Sequence, residues 1–421
     1  MIEEPQIALY DLIAALSTAM ELVEPAIINH QMQVAYIAHC IGAEMKLPAE
    51  QQMELMMAGA LHDAGALSVK EKTGLLQFEP SNVDAHCELG YSLLKTFEPF
   101  YNIATMVRFH HVPWNNGEGK SRKGLNVPMS SHILHLADRT AALAKKQKDI
   151  LGHTKEICEK ITEHSNSRFV GDLVEILLRL GERECFWLDV TSPSLKWILR
   201  QRIGRKALEL GTEDLEGVFR LFSRLIDFRS QFTVTHSSGI AAGAAQLARW
   251  IGFSERECRM MKYAGYIHDL GKLAVPTEIL EKNATLTKEE FEVIRSHTYH
   301  TFRCLEQIPA LETINIWASL HHERLDGKGY PFHYTSQDLP LGSRILAVAD
   351  VITAITEDRI YRKGMESEKA KKLLDDMVGG SALDSRVVSV LADHFAEFNQ
   401  ARMAAQKVAV AEYRKAMQIS D

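Results

Sequence analysis

The sequence lacks several features that mark common classes of protein. Lysine and arginine number 48 against 55 acidic residues, for a formal charge of −7. That balance argues against a protein that binds DNA or RNA by neutralising many phosphates. No apolar run approaches the roughly 20 residues that span a bilayer, and the opening MIEEPQ has no basic stretch before an apolar one. We therefore expect a cytoplasmic protein with no membrane or nucleic-acid partner.

Cysteine pairs are also missing. The six cysteines are scattered and form no C-x-x-C motif; they are Cys40, Cys87, Cys158, Cys185, Cys258 and Cys304. This usage is typical of reduced thiols in a cytoplasmic protein. The chain has 421 residues, of which 46% are hydrophobic. It is long for a single domain, so we expect two domains that each bury a core.

Helical periodicity dominates the rest of the chain. Apolar residues recur at three- and four-residue spacing, which predicts amphipathic helices. The clearest segments are residues 51–61, 102–110, 173–180, 240–251, 291–305 and 385–395. Ser254 with Glu257, and Thr287 with Glu290, have the spacing of capping boxes that begin helices. No run of alternating strands is present, so the predicted fold class is all-α.

Metal-capable residues occur twice in the same order. The first set is His30, His62, Asp63, His86, His110, His111 and Asp138. The second set is His236, His268, Asp269, His297, His321, His322 and Asp350. The first histidine and the His-Asp pair are each 206 positions before their equivalents in the second set. The next three histidines are 211 positions before theirs, and the last aspartate is 212 before its equivalent. The repeat indicates a tandem duplication, which we divide into domains 1–195 and 196–421.

The donor types of each set indicate a metal centre. A single buried histidine is more often a core residue than a ligand, but seven such residues repeated in order favour ligation. Imidazoles with carboxylates suit borderline divalent metals such as Fe, Mn, Co, Ni or Zn. Five histidines and two carboxylates exceed the needs of one ion and fit two ions that share Asp269. Two adjacent ions activate water and bind a phosphoryl oxygen, which is the chemistry of phosphoester hydrolysis.

Two runs in the second copy resemble a known family. HDLGK at residues 268–272 is similar to the signature of HD-domain phosphohydrolases, and HHERLDGKGYP at residues 321–331 resembles that of the HD-GYP subfamily. The resemblance covers roughly residues 225–400. It implies two tandem HD-type helical domains, of which the second is a metal-dependent phosphodiesterase. The implied substrate is cyclic di-GMP or 3′,3′-cyclic GMP-AMP, cut to a linear dinucleotide.

The resemblance also implies roles for individual residues. The first ion, most often Fe or Mn, would take His236, His268, Asp269 and Asp350, and the second would take Asp269, His297, His321 and His322. Lys272 matches a family lysine beside the scissile phosphate, where a positive charge stabilises the transition state. Arg359 and Arg362 match phosphate- and guanine-binding positions. Gly329, Tyr330 and Pro331 would form the rim of the substrate pocket.

Some positions depart from the family pattern. A glutamate that binds a third metal in some members is replaced by Phe232, which favours a dinuclear site. Thr301 stands where the family has glycine, and Asn283-Ala284 replaces a Pro-Gly pair. None of these changes affects the residues assigned as ligands of the two ions.

The first copy keeps the ligands but not the residues assigned to substrate. Ala66, Gln147 and Ile150 stand in the places of Lys272, Arg359 and Arg362. We therefore expect a regulatory or packing role for the first domain. Two alternatives remain for the whole chain, an HD hydrolase acting on another nucleotide or a sensor that binds a cyclic dinucleotide without cleaving it. A homodimer is also compatible with the sequence.

Overall fold

Two helical units make up the chain. The computed structural model describes residues 7–66, 68–81, 83–145, 147, 149–203, 210–228, 235–357 and 363–417. Within these residues the only strands longer than an isolated bridge are β1 (Ser121–Arg122) and β2 (Leu125–Asn126), which pair antiparallel. The predicted all-α fold is confirmed. One compact unit comprises Ala8–Glu209, and the other comprises Leu210–Asp421 with the first seven residues.

The first unit contains eleven α-helices in its described part. They are α1 (Leu9–Glu21), α2 (His30–Glu44), α3 (Ala49–Leu61), α4 (Val69–Leu75), α5 (Asp84–Leu94), α6 (Tyr101–Arg108), α7 (Met129–Lys145), α8 (Ile150–Thr162), α9 (Gly171–Gly181), α10 (Glu184–Val190) and α11 (Leu195–Ile203). Short 3₁₀ segments lie at Pro25–Ile27, Glu98–Phe100 and Asn115–Lys120, and the last of these is interrupted by non-helical backbone at Asn116 and Gly117. Helix α2 packs against α3 and α7 at the centre of the unit.

The second unit contains ten α-helices in its described part. They are α12 (Thr212–Asp227), α13 (His236–Ile251), α14 (Glu255–Ile267), α15 (Thr277–Leu280), α16 (Lys288–Leu305), α17 (Glu312–Ser319), α18 (Leu341–Thr356), α19 (Ser367–Gly379), α20 (Ser385–Asp393) and α21 (Phe395–Met417). The 3₁₀ turns are Leu270–Ala274 and Pro309–Leu311. Helix α13 packs against α14, α18 and α21.

The first helix pair of each copy packs closely in the same way. A Cβ on Gly59 of α3 would lie 2.5 Å from the Cα of Ala35 in α2. A Cβ on Gly265 of α14 would lie 2.6 Å from the Cα of Ala241 in α13. Real Cβ atoms do not approach that closely, so glycine is needed for the two backbones to meet. The contact brings the histidine that begins one helix near the His-Asp pair that follows the other.

The predicted helix starts are confirmed, and two predicted ends are corrected. Ser254 and Thr287 cap α14 and α16 in complete capping boxes. The segment predicted at residues 385–395 ends at Asp393, and Phe395 begins the next helix. The segment predicted at residues 102–110 stops being helical at Arg108, two residues early. Consecutive helical residues point about 100° apart, so a continued helix would separate His110 from His111. Leaving the helix lets both rings enter one cluster.

Ion pairs join the last helix of the second unit, α21, to its first helix, α12. Glu412 of α21 forms ion pairs with Arg220 and Arg224 of α12. Partly exposed pairs of this kind contribute at most about 1 kcal/mol each. Among the described residues, no helix is both long and apolar enough to cross a membrane.

Candidate metal centre

Five segments of the second copy bring its seven metal-capable residues together. They are the start of α13, the turn after α14, the middle of α16, the turn after α17 and the middle of α18, and they carry His236, His268-Asp269, His297, His321-His322 and Asp350. All seven are buried except His322, whose side chain is 30% exposed. The sequence predicted this set, and the structure places its members in one cluster.

Asp269 lies at the centre of the cluster. Its Oδ2 is 3.1 Å from His268 Nε2, and its Oδ1 is 3.3 Å from His297 Nε2. The two carboxylate oxygens therefore face histidines from two different segments, the turn after α14 and helix α16. This is the arrangement expected of a ligand shared by two ions.

The other donor atoms fall into two groups on either side of Asp269. His236, His268 and Asp350 form one group whose donor atoms lie within 4.8 Å of one another, and His297, His321 and His322 form the other. Within the first group His236 Nε2 is 3.3 Å from Asp350 Oδ1. Each group could hold a metal ion, and the grouping matches the division of ligands predicted from the sequence.

Hydrogen bonds leave the inward nitrogen of each central histidine available. His268, His297 and His321 each direct Nδ1 to the carbonyl three residues earlier, at 2.9, 2.6 and 2.6 Å. This bond fixes the tautomer, with the proton on Nδ1 and a lone pair on Nε2. His297 Nε2, His321 Nε2 and Asp269 Oδ1 are buried without a hydrogen-bond partner among the described residues. Buried unpaired polar atoms are costly, and a divalent cation would satisfy all three.

Burial and neighbouring charge set the protonation of the cluster. Burial lowers the pKa of His297 to about 3, so its ring is neutral and able to bind metal. Burial also opposes charge on His236, but its hydrogen bonds to Asp350 and Glu357 outweigh that effect and raise its pKa to about 10. Burial raises the pKa of Asp269, yet His268 and Lys272 together hold that pKa well below its usual range. The carboxylate is therefore ionised.

Lys272 lies on the open side of the cluster. Its Nζ donates to Asp269 Oδ2 at 2.6 Å, and its side chain is 24% exposed. Burial disfavours the ammonium charge, but Asp269 more than compensates and raises the pKa of Lys272. A permanent positive charge thus stands beside the central carboxylate and within reach of solvent.

The residues Gly329, Tyr330 and Pro331, here called the GYP segment, lie beside His322 and form one side of the cluster. The centre of the Tyr330 ring lies 5.0 Å from the centre of the His322 ring. The Arg295 guanidinium lies over the same Tyr330 ring, 4.8 Å from its centre. A Cβ on Gly329 would come within 2.4 Å of the Glu323 Cα, so only glycine lets the segment pass. The peptide between Tyr330 and Pro331 is cis.

Glu323 holds the GYP segment in place through hydrogen bonds to the backbone that follows it. Its buried Oε1 accepts hydrogen bonds from the backbone nitrogens of Phe332 and His333, at 2.6 and 3.1 Å. The glutamate of the HHE motif is therefore a positioning residue for the GYP segment, a role that sequence reasoning did not assign.

Two further buried carboxylates escaped sequence reasoning. Glu357 Oε2 lies 3.1 Å from His236 Nδ1 and so orients that ring. The signal was available, because Glu357 is seven residues, or two helical turns, after Asp350. Asp227 of α12 accepts hydrogen bonds from the hydroxyl and backbone nitrogen of Ser237 at 2.6 and 3.3 Å. No local sequence pattern points to Asp227.

Thr301, the residue that departs from the family glycine, is accommodated by hydrogen bonding. Its Oγ1 accepts from Gly271 N at 2.9 Å and donates to His268 O at 3.1 Å. The hydroxyl therefore joins α16 to the turn that carries the His-Asp pair. Arg359, Arg362 and Phe232, which the sequence singled out, lie outside the described residues.

The first copy forms a similar cluster that is closed. Asp63 Oδ2 is 3.3 Å from His62 Nε2, and Asp63 Oδ1 is 3.6 Å from His86 Nε2. His30 Nε2 lies 3.1 Å from Asp138 Oδ1. All seven residues of the first set are buried, including His111, the counterpart of the partly exposed His322. Ala66 is buried where the second copy has Lys272.

A model of the HD domain matches the chain twice, over residues 14–168 and 220–387. The matches cover most of the chain, one in each copy, so the chain belongs to the HD domain family. The tandem HD organisation predicted from the sequence is thereby confirmed. Each copy has one match to the HD model and contains one histidine–aspartate cluster.

Several curated proteins are similar to this chain. A protein of Vibrio cholerae named 3′3′-cGAMP-specific phosphodiesterase 1 is 29% identical over 386 residues, covering 90% of this chain and 89% of its own length. The 3′3′-cGAMP-specific phosphodiesterase 3 of the same organism is 24% identical, with 87% and 90% covered. A cyclic di-GMP phosphodiesterase of Thermotoga maritima is 32% identical over 164 residues, 38% of this chain and 45% of that protein.

One solved structure extends the likeness to the fold. It is that of a cyclic GMP-AMP phosphodiesterase of V. cholerae, V-cGAP3, which superposes with a TM-score of 0.63 over 92% of this chain and 98% of its own. The two sequences are 22% identical in this alignment, so the comparison bears on the fold alone.

Proposed function

We propose that the second copy is a metal-dependent phosphodiesterase that hydrolyses a cyclic dinucleotide, with 3′3′-cGAMP as the preferred substrate. The observation that carries this proposal is the partly open cluster of imidazoles around Asp269, with the Lys272 ammonium on its exposed side. The named activities of the relatives support the substrate class. The two relatives named for 3′3′-cGAMP match over about nine-tenths of both chains, whereas the cyclic di-GMP enzyme of T. maritima matches in part.

The donor set fits two divalent ions. His236, His268, Asp269 and Asp350 would hold one, and Asp269, His297, His321 and His322 the other. Nitrogen and carboxylate donors without thiolate favour Fe or Mn, with Ni, Co and Zn also able to bind. Such a pair of ions, when bound, supplies a nucleophilic water at neutral pH and neutralises charge on the phosphoryl oxygens.

The residues of the chain itself do the rest. Asp269 faces both groups of histidines, and Glu357 fixes the His236 ring. Lys272 holds a positive charge at the open side, where it would stabilise the negative charge that develops on the phosphate. Water attacks phosphorus, the 3′ oxygen leaves, and the product is a linear dinucleotide. The Tyr330 ring offers an apolar face beside His322 on which part of the substrate can rest.

A side-by-side hydrolysis assay tests the proposal. Purified protein loaded with Fe or Mn is given 3′3′-cGAMP, cyclic di-GMP and a 5′-nucleotide, and products are separated by chromatography. We expect linear dinucleotides, formed faster from 3′3′-cGAMP, and no product with Asp269→Asn. Cleavage of the 5′-nucleotide alone would indicate a different HD hydrolase. Tight binding of a cyclic dinucleotide without cleavage would indicate a sensor.

A further inference from the structure

One group of donor atoms in the first copy differs in chemistry from its counterpart. Cys87 follows His86 on α5, and its Sγ lies 3.6 Å from His86 Nε2 and 3.5 Å from His110 Nδ1. Together with His111 these residues offer four donor atoms within 4.8 Å of one another, and all four residues are buried. The group contains a thiol, which no group of the second copy described above has.

The matching position of the second copy shows what changed. Thr298 stands 211 residues after Cys87, and its hydroxyl donates to the carbonyl of Arg295 at 3.1 Å. The second copy therefore keeps only His297, His321 and His322 at this place. A threonine hydroxyl is a weak ligand, whereas a cysteine thiolate is a strong one for soft and borderline metals.

The histidines around Cys87 have nitrogen atoms available. His110 directs Nδ1 to Val107 O at 2.6 Å, as His321 directs Nδ1 to Ala318 O, and so turns Nε2 inward. His110 Nε2, His111 Nε2 and His86 Nδ1 are buried with no hydrogen-bond partner in the part of the chain that the structure describes. Each unpaired buried nitrogen is costly. A cation beside Cys87 would be bound by Nε2 of His110 and of His111, and by the His86 Nε2 that lies 3.6 Å from Cys87 Sγ.

The other half of the first cluster is already neutralised by the protein. Arg139 is 1% exposed; its Nε donates to Asp138 Oδ2 at 3.1 Å, and its Nη2 donates to the same oxygen and to Leu75 O. The second copy has Val351 at the place of Arg139 and Glu357 at the place of Lys145. The first copy thus has an added, buried guanidinium beside Asp138, the carboxylate that faces His30, and this positive charge opposes the binding of a divalent cation there.

We propose that the first copy binds a single divalent ion of the zinc class through Cys87, His86, His110 and His111. Thiolate and imidazole donors around a closed position are typical of structural zinc sites. Binding converts the Cys87 thiol to a thiolate, and the displaced proton passes to solvent. The ion holds the start of α5 to the turn after α6. It is a structural site and takes no part in the hydrolysis proposed for the second copy.

Cobalt(II) spectroscopy of the full-length protein tests this assignment. Metal is removed with a chelator and cobalt(II) is added back, because a thiolate ligand gives a near-ultraviolet charge-transfer band that histidine and carboxylate ligands do not. We expect the band in the unmodified protein and in Cys185→Ser, which removes an exposed thiol. We expect the band to be lost in Cys87→Thr, which installs the residue of the second copy. A band that persists in folded Cys87→Thr would overturn the proposal.

A second measurement needs no variant. Zinc-edge X-ray absorption of the reconstituted, unmodified protein should show a sulfur neighbour at about 2.3 Å. A spectrum that shows nitrogen and oxygen neighbours alone would overturn the assignment. The absence of the cobalt band in the unmodified protein would overturn it as well. Both results hold even if Cys87→Thr fails to fold.

Discussion

The Lys272 ammonium donates a hydrogen bond of 2.6 Å to Asp269 Oδ2, the carboxylate at the centre of the second cluster. His268 Nε2 lies 3.1 Å from the same oxygen. The same carboxylate oxygen therefore lies beside both His268, an assigned metal ligand, and the Lys272 ammonium on the open side of the cluster. The assigned metal site and the positive charge assigned to stabilise the phosphate are thus adjacent.

Lys272→Ala should lower turnover by about 10² or more, the scale typical of losing one donor to the transition-state charge. The metal content should remain, because Lys272 is not an assigned ligand. Rates with 3′3′-cGAMP and elemental analysis measure the two effects. Lys288→Ala, which removes an exposed lysine at the start of α16, is the control. Unchanged turnover in Lys272→Ala would mean that this lysine only pairs with Asp269.

Matched double substitutions should separate the two copies. His268→Ala with Asp269→Ala should lose metal from the second copy and abolish hydrolysis, since Asp269 faces both groups of histidines. His62→Ala with Asp63→Ala should lower the thermal midpoint and leave basal hydrolysis largely in place. Metal analysis, thermal denaturation and turnover are measured on both proteins. If the first-copy variant is inactive while folded and metal-loaded in its second copy, then the first copy takes part in catalysis.

Glu357→Gln should weaken metal binding or activity by about 10- to 100-fold, the usual loss when a residue that orients a histidine ligand is changed. The reason is that Glu357 Oε2 accepts from His236 Nδ1, and glutamine offers a weaker acceptor. Competition with a chelator measures the affinity. Glu366→Gln, at an exposed position before α19, should match the parent protein. An unaltered affinity in Glu357→Gln would contradict the orienting role.

Replacing Arg359 and Arg362 with alanine should reduce affinity for the cyclic dinucleotide far more than hydrolysis of bis-p-nitrophenyl phosphate. The small diester requires only the metal centre, whereas the dinucleotide also requires the phosphate and guanine contacts that the resemblance assigns to these arginines. Binding is measured by calorimetry, and Lys363→Ala provides a neighbouring control. Equal losses with both substrates would indicate a structural role for the arginines.

Glu21→Gln should become more stable relative to the parent protein as the pH rises. Burial raises the pKa of Glu21 to about 7, although the backbone nitrogens of Gln31 and Asn29 donate to its carboxylate. The unfolded chain loses this proton near pH 4.5 and the folded chain near pH 7, so ionisation costs stability progressively across that interval and fully above it. The stability difference should change by about 3 kcal/mol, measured by urea unfolding at several pH values. A difference that stays constant from pH 4.5 to 8 would contradict the shifted pKa.

Much of the fold and of the second cluster could be read from local pattern. The three- and four-residue periodicity predicted the helices, and the repeat spacing predicted that both copies share one architecture. Histidine and aspartate in a fixed order identified the cluster because metal ligation constrains residue type strongly. The end of α6 at Arg108 was misplaced, because the need for His110 and His111 to face one point lies outside helical periodicity.

The sequence by itself determined which residues could bind metal in each copy and where the helices around them begin. Only the tertiary structure decided which partners those residues have. Asp227 meets Ser237, and Cys87 meets His110, because separate helices pack together, and no local periodicity encodes which faces meet. Packing also decided that the second cluster is open at Lys272 while the first is closed around Arg139. Burial and charge pairing depend on contacts between residues that are distant in the chain. The difference in exposure between the two clusters is therefore set by tertiary packing.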